Sequence, residues 1–555
     1  MKKFAILLLA AFVLLTAACQ TQVPVDSDGT TTGSTTKSSL QFSHPTWTDA
    51  QGNVYPTTAP TKATTGTRPS GSGDVLVEDN RCQHVDQDNN GLCDTCNFTV
   101  VVVVDFYVLN DLHGKFADTA DQPGVDELTT YLKQSRETDE LALFLSSGDM
   151  WQGSSESNLT QGLIITDWMN ALDFTAMTLG NHEYDWGEAA IEKNAQQAKF
   201  PLLAINIYDR TTGRRVDYAQ PSVMVEQGGV KIGIIGAIGD CYSSISADKT
   251  QDIYFKVGSE LTALVKAEAQ KLRSQGADLI VYSLHDGHGQ SKSGVTDISA
   301  NAIASYYDID LSDGVVDLVF EGHTHQRYVL KDRHGVYHLQ NGGENKGLSH
   351  TELTVNIANG HLTVNVAEFV QNSTYSHLAD DPLVDQLLDK YADDIAIGDR
   401  MLGYNGRYRS SDTLCDLVAK LYYEEGLERW GDEYDIALGG GFLSTRSPYD
   451  MDPGEVTYGM LQMLLPFDND LVLCSIKGRE LKNKFFYTNN DRYHIAYGDY
   501  GNTVKANIDN NATYYVIVDS YTSQYAPNKL TEIDRIEGLY ARDLLADYIL
   551  DGGLE

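Results

Sequence analysis

The sequence predicts an α/β protein whose strands are covered on both faces. Three observations carry that reading. From Phe98 onward apolar, β-branched runs recur; each gives way to a short polar loop and then a helical pattern; and Asp, Asn or His residues collect where the runs stop. The runs are Val100–Leu109, Leu141–Leu145, Ala176–Leu179, Leu202–Ile205, Val230–Ile235, Leu279–Leu284 and Val315–Phe320. A strand with one wet face alternates polar and apolar residues, whereas continuous runs suit a sheet with a layer on each side.

The chain opens with a processing signal over residues 1–19. Lys2 and Lys3 give a charged start, Phe4–Leu15 an apolar run, and Thr16-Ala17-Ala18 a small-residue approach to Cys19. The run is shorter than the about 20 apolar residues that a membrane-spanning helix needs. The residues before Cys19 resemble a bacterial lipobox, with Thr16 where Leu is usual, and the resemblance implies lipidation of Cys19. The plainer alternative is an ordinary cleaved signal with Cys19 incidental. Residues 20–80, rich in Thr, Ser, Gly and Pro, hold too few large apolar groups to offset their ordering entropy and read as a flexible tether. The expected place is the extracytoplasmic face of a bacterial membrane, at the cell surface or in the periplasm, with the lipid as the only membrane contact.

Residues 81–98 pack potential ligands densely, and three readings stay open. Cys82, His84, Cys93 and Cys96 could form a Cys₃His zinc site. Asp86, Asp88, Asn90 and Gly91 resemble the start of a calcium loop, although Asn97 stands where the twelfth-place Glu belongs. A disulfide with one cysteine spare is what an exported chain would form otherwise. Each reading makes the segment a small staple at the tether's end. Cys241, Cys415 and Cys474 stand alone in apolar contexts as small core residues, and seven cysteines in 555 residues make no disulfide framework.

Five strand ends carry the chemistry. The first is followed by Asn110-Asp111-Leu112-His113-Gly114, the second by Gly148-Asp149-Met150-Trp151-Gln152-Gly153, the third by Gly180-Asn181-His182-Glu183-Tyr184-Asp185. The sixth and seventh end at His285-Asp286-Gly287 and Gly322-His323-Thr324-His325. Ligand sites in open α/β sheets lie outside the carboxyl ends of the strands. Imidazole and carboxylate converging there suit a pair of divalent ions, which activate water and clamp a phosphoryl group for in-line attack. Singly each residue has a plainer role: Asp111 could cap a helix and Asn181 could make a turn. Of fourteen histidines, nine, among them His44, His288, His334, His350 and His494, read as structural or solvent-facing. The other five all follow predicted strands in Gly-flanked loops.

These strings, in this order, resemble the calcineurin-like metallophosphoesterases, and the longer Gly180–Gly187 stretch is similar to their 5′-nucleotidase branch. The resemblance implies a four-layer α/β/β/α catalytic domain over residues 99–372. It implies that Asp111, His113, Asp149 and His325 hold one ion and Asp149, Asn181, His285 and His323 the other, with Asp149 bridging. Zinc, manganese, cobalt and iron all accept such a set. His182 would stabilise the transition state and assist the leaving oxygen, oriented by Asp185. Attack would be by metal-activated water, without a covalent phosphoenzyme.

Residues 373–400, with an amphipathic helical pattern over Pro382–Ile397, read as a linker near a hinge. Beyond it Tyr434–Gly441, Gly454–Gly459 and Leu465–Asp470 resemble the smaller α+β substrate-binding domain of 5′-nucleotidases, placed at 401–555. There Phe467 matches a base-stacking ring, and Tyr521 or Tyr525 would supply the second, unless both tyrosines simply pack the domain. The family's Gly-Gly-Gly-Ile-Arg becomes Gly439-Gly440-Gly441-Phe442-Leu443 here, so Arg446, Arg407 or Arg409 would meet the phosphate or ribose, with Asn181 also at the substrate.

The formal charge of −37 argues against nucleic-acid polymers and anionic membrane surfaces as partners, but bound cations would still draw in a small anion. The expected function is two-metal hydrolysis of extracellular nucleotide esters by a monomer, foremost 5′-nucleotidase action. The enzymatic alternative is a 2′,3′-cyclic-nucleotide phosphodiesterase or a hydrolase of UDP-sugars or nucleoside diphosphates. A non-catalytic nucleotide-binding lipoprotein would show decay among the ligands, and none is seen.

Overall fold

The computed structural model describes residues 46–48, 54–56, 82, 84–118, 123–287, 314–332, 334–446, 448–486, 493–496, 508–524 and 529–554. Cys19, most of the expected tether and Tyr525 lie outside them. Within the tether, Thr46–Thr48 pairs antiparallel with Val54–Pro56, two short segments of β-favouring composition. Among the described residues no helix is long and apolar enough to cross a membrane.

Two six-stranded sheets form the centre of the molecule. The first has the order Leu362–Gln371, Gly347–Asn356, Val101–Leu109, Leu143–Ser146, Ala176–Thr178, Leu202–Leu203. Its pairings are parallel from Val101–Leu109 outward and antiparallel on the hairpin side. The second has the order Tyr328–Lys331, Tyr337–Gln340, Leu318–Glu321, Leu279–His285, Val230–Ile238, Ser222–Gln227, antiparallel only at its two edges.

Alternation along each strand decides what lies on either face. Val104, Phe106 and Val108 point between the sheets, against Ile232, Ile234, Val281 and Phe320 of the second. The Phe106 and Phe320 ring centroids are 5.9 Å apart. Tyr107 and Leu109 point the other way, where Phe144 and Met177 join Leu128, Leu132, Ile164 and Trp168 of the helices Asp126–Thr138 and Leu163–Ala171. On the far side, Leu261, Val265 and Leu272 of the helix Ser259–Ser274 cover Ile235, Ile280 and Tyr282. The layers are therefore α/β/β/α, and burial on both faces explains why the strands read as unbroken apolar runs. The strand from Val230 continues to Ile238, past its predicted end at Ile235. Ser222–Gln227, Tyr328–Lys331 and Tyr337–Gln340 were not predicted; they are edge or near-edge strands, short and of mixed polarity.

The helix Pro382–Lys390 follows, capped by Asp381, whose carboxylate accepts from the Leu383 N–H, with Pro in its first turn. It stops earlier than the predicted Ile397; Ala392–Ile395 and a 3₁₀ turn over Ala396–Asp399 complete the passage. A separate hydrophobic core then gathers Leu414, Val418, Tyr422, Ile436, Leu473, Ile517 and Leu545. It lies between the helices Ser411–Trp430 and Ala541–Leu550 and a five-stranded sheet of order Tyr493–Ala496, Ile436–Phe442, Thr513–Asp519, Leu471–Lys477, Thr531–Ile536. This part meets the first where the helix Tyr458–Leu464 crosses Ser155–Leu159. Asn158 Nδ2 donates to the Gln462 carbonyl at 2.8 Å, and a Cβ at Gly459 would stand 2.6 Å from Ser155 Oγ.

Candidate active site

Parallel registers bring the strand ends level. Leu109 pairs with Ser146 in the first sheet, while His285 pairs with Ile238 and Leu284 with Glu321 in the second. Polar contacts stitch the two edges together. Ser147 Oγ lies 3.0 Å from Ser283 Oγ, and Thr178 Oγ1 donates to Ser283 Oγ at 2.7 Å. His285 Nδ1 lies 2.7 Å from the Ser147 carbonyl, and His113 Nδ1 3.0 Å from that of Gln152. An imidazole donating through Nδ1 keeps its Nε2 lone pair for a ligand.

The seven sequence-predicted ion ligands converge around these two rings. Asn181 Oδ1 lies 3.2 Å from His285 Nε2 and 2.9 Å from His323 Nδ1, and Asp149 Oδ2 lies 3.1 Å from His285 Nε2. Beside them His113 Nε2 and His325 Nε2 are 3.0 Å apart, with Asp111 Oδ1 3.4 Å from His325 Nε2. Nitrogen and oxygen ligands held about 2.0–2.2 Å from one divalent ion stand about 2.8–3.5 Å from each other. The donor types and their spacing thus fit two divalent ions.

The backbone beneath them is strained. Asp111, His113, Asp149, His323 and His325 all have φ between +50° and +68°. Such conformations cost roughly 1–3 kcal/mol each and persist only where the surroundings enforce them. Glu183 supplies much of that enforcement around Asp149. Its carboxylate is fully buried and accepts from the N–H groups of Gly180, Met150 and Asp149 at 2.7, 2.8 and 2.9 Å, and of Trp151 at 3.4 Å. Gly148 sits at φ +95°, where a Cβ would come within 2.6 Å of His285 Nδ1.

Electrostatics suit ligation. Burial first, then the neighbouring His325 and His182 rings, push His113 down to about 3, which keeps it neutral as a ligand must be. Burial works against charge on Asp149, yet the His285 and His182 imidazoles hold its carboxyl well below the usual range. His182 behaves oppositely. Burial pulls it down, but Asp185 and Asp149 outweigh that and raise it above an ordinary histidine. Its Nδ1 is 2.8 Å from Asp185 Oδ2, and its backbone N–H donates to Asp149 Oδ1 at 2.8 Å. Asp185 therefore occupies one ring nitrogen and leaves Nε2 for a reacting group.

A cavity of about 450 Å³ opens on this edge, lined by His113, Asp149, Asn181, His182, His323 and His325 and, from the C-terminal part, by Phe442, Arg446, Tyr449, Phe467 and Tyr521. The Phe467 ring stacks beside His182 at 6.1 Å, and the Arg446 guanidinium lies 5.0 Å from the Phe467 centroid. Arg446 Nε is buried and has no hydrogen-bond partner among the described residues. Two expected substrate residues are not brought here. Arg407 is exposed and does not line the cavity. Arg409 is buried elsewhere, donating through Nε to Asn405 Oδ1 at 2.9 Å and through a terminal nitrogen to the Leu554 carbonyl at 3.3 Å. Sequence reasoning had overlooked Glu183 as a support and Ser244, Ser246 and Lys249 as cavity wall.

Residues 104–327 match the calcineurin-like phosphoesterase family. The protein UshA of Yersinia enterocolitica is 26% identical over 412 residues, covering 67% of this chain and 72% of that one. A Vibrio cholerae protein named 5′-nucleotidase is 32% identical over 224 residues, 39% of either chain. The crystal structure of a 5′-nucleotidase precursor from Thermus thermophilus shares the fold at a TM-score of 0.61 and 20% identity, over 81% of this chain and 97% of that one.

Proposed function

We propose that the chain is a calcineurin-like phosphoesterase of the two-domain 5′-nucleotidase kind and that it hydrolyses nucleoside 5′-monophosphates to nucleoside and phosphate. The observation that carries this reading is one cavity shared by the ion-ligand edge and by Arg446, Phe467 and Tyr521. Asp111, His113, Asp149 and His325 would hold one ion and Asp149, Asn181, His285 and His323 the other. Such ions supply a hydroxide nucleophile at neutral pH and neutralise phosphoryl oxygens. His182, fixed by Asp185, carries a proton on Nε2 to the departing ester oxygen. Arg446 offers the planar donors that phosphate or ribose oxygens accept, standing in for the arginine that Leu443 replaces. Phe467 and Tyr521 present ring faces to the base. Export and anchoring through Cys19 belong to the same proposal and rest on the signal-like residues 1–19.

Lys249 favours a second reading. It adds a cation to the cavity wall, as a substrate with a second phosphate would use, so a hydrolase of nucleoside diphosphates or UDP-sugars is the alternative. Phosphate release from AMP, ADP, UDP-glucose, 2′,3′-cyclic AMP and bis(p-nitrophenyl) phosphate, with manganese or zinc, separates the two. AMP turnover is expected, falling about 10²- to 10⁴-fold in His182→Ala. Activity confined to a diester or diphosphate moves the function to the alternative, and silence across the panel rejects both.

A further inference from the structure

One cluster of ligand-type side chains lies outside the catalytic edge. Cys82, His84, Cys93 and Cys96 bring their ligand atoms within 4.8 Å of one another, and none of the three cysteines is in a disulfide. Cys82 Sγ is 3.7 Å from Cys93 Sγ, and Cys96 Sγ is 3.4 Å from His84 Nδ1. These are the edges of a small tetrahedron. Zinc with sulfur at about 2.3 Å and nitrogen at about 2.0–2.1 Å sets S···S near about 3.8 Å and S···N near about 3.5 Å. A disulfide would need about 2.05 Å between sulfurs.

The acidic residues of the same loop are committed elsewhere. Asp86, buried, accepts from the N–H groups of Gly91 and Asn90 at 2.9 and 3.1 Å and from Asn356 Nδ2 at 2.7 Å. Asp88 accepts from Asn90 N–H and Nδ2 at 3.2 and 2.9 Å. With these donors to satisfy, the two carboxylates have less to offer calcium, which takes about six to eight oxygen ligands.

We propose that Cys82, His84, Cys93 and Cys96 bind one structural zinc ion, independent of the hydrolytic centre. Four protein ligands close the coordination sphere, which leaves no position for a substrate. The Phe98 ring stacks on His84 at 4.9 Å and fixes its plane. The loop itself docks on the turn between Gly347–Asn356 and Leu362–Gln371, where Asn359 Nδ2 donates to the Asp86 carbonyl at 2.9 Å. Zinc would thus clamp the chain where the expected tether meets the first strand of the catalytic sheet.

The test uses the full-length protein, dialysed against zinc, freed of excess ion and analysed for metal by mass spectrometry. Cys93→Ser/Cys96→Ser is expected to carry one zinc fewer per chain than the wild type. Cobalt-exchanged wild type is expected to show thiolate-to-cobalt charge-transfer absorption, which the double variant loses. Cys241→Ser, altering the cysteine nearest the catalytic histidines, is expected to keep that absorption. Equal zinc contents, an absent band, or two thiols of the wild type found as a disulfide would overturn the assignment. Should the double variant fail to fold, the spectra of wild type and Cys241→Ser decide the matter without it.

Discussion

Glu183 and Arg446 show how a single side chain can set the site from opposite sides. Glu183 is buried and does not line the cavity; by collecting four backbone amides it holds Gly180 and the Asp149 loop in register. Its neighbours in sequence gave no hint of that, because three of its four partners, Asp149, Met150 and Trp151, are amides from a different strand end. The proposed Asp, Asn and His ligands were legible for the converse reason: each stands in a Gly-flanked string directly after an apolar run. Arg446 was only one of three arginines that sequence could offer, and the geometry separates them, with Arg409 engaged by Asn405 and Arg446 over Phe467. A hydrogen bond to a charged group contributes about 1.5–3 kcal/mol, so Arg446→Ala is expected to lower kcat/KM roughly 10- to 100-fold. Arg446→Lys should recover only part, lacking the planar fork. Steady-state kinetics showing no change in Arg446→Ala would remove the guanidinium from the substrate site.

At the scale of elements, the strand-to-loop junctions are where sequence and packing agree most closely. Gly148, two residues past the strand Leu143–Ser146, takes a conformation that an L side chain rarely adopts and faces His285. Gly148→Ala is expected to cost about 1–3 kcal/mol in strain, displace His285 and release bound ions, as urea unfolding and metal analysis would show. Retention of both stability and ions would mean that the loop relaxes freely. What sequence could not convey is the pairing of one sheet with another: continuous apolar runs say that both faces are covered, not by what. The outer face of the first sheet also hides a charge problem. Asp139, at the end of the helix Asp126–Thr138, is pushed up to about 7 by burial and then by Asp105, with Glu352 adding to it. Arg136 and His350 are the nearby cationic groups, and His350 Nε2 is taken up by Asp105 at 2.7 Å. Because Asp139 holds a proton in the folded state that the unfolded chain releases above 3.8, stability should fall as pH rises from about 4 to about 7. Asp139→Asn is expected to flatten that slope and to be the more stable protein at pH 8. An unchanged slope in denaturant unfolding at pH 5 and 8 would sink the idea.

For the whole molecule, the contacts between its two cores matter most. Gly459 packs on Ser155, and Arg535 reaches from the C-terminal sheet to Asp248 at 3.4 Å as well as to Asp470 at 3.0 Å. Partly exposed ion pairs contribute at most about 1 kcal/mol and weaken with salt. Arg535→Gln is therefore expected to change kcat/KM no more than about fivefold and to blunt its dependence on salt. A variant whose salt response matches the wild type would show that this pair does not influence turnover. The strained residues at the catalytic edge have a wider consequence. Their positions are set by glycines, amides and a buried carboxylate as well as by whatever ions they hold. Zinc, manganese, cobalt and iron all accept such a donor set, so metal supply acts beside the ligands in deciding which of them it takes. The proposed export of this chain would then tie the metal it carries to what its habitat supplies.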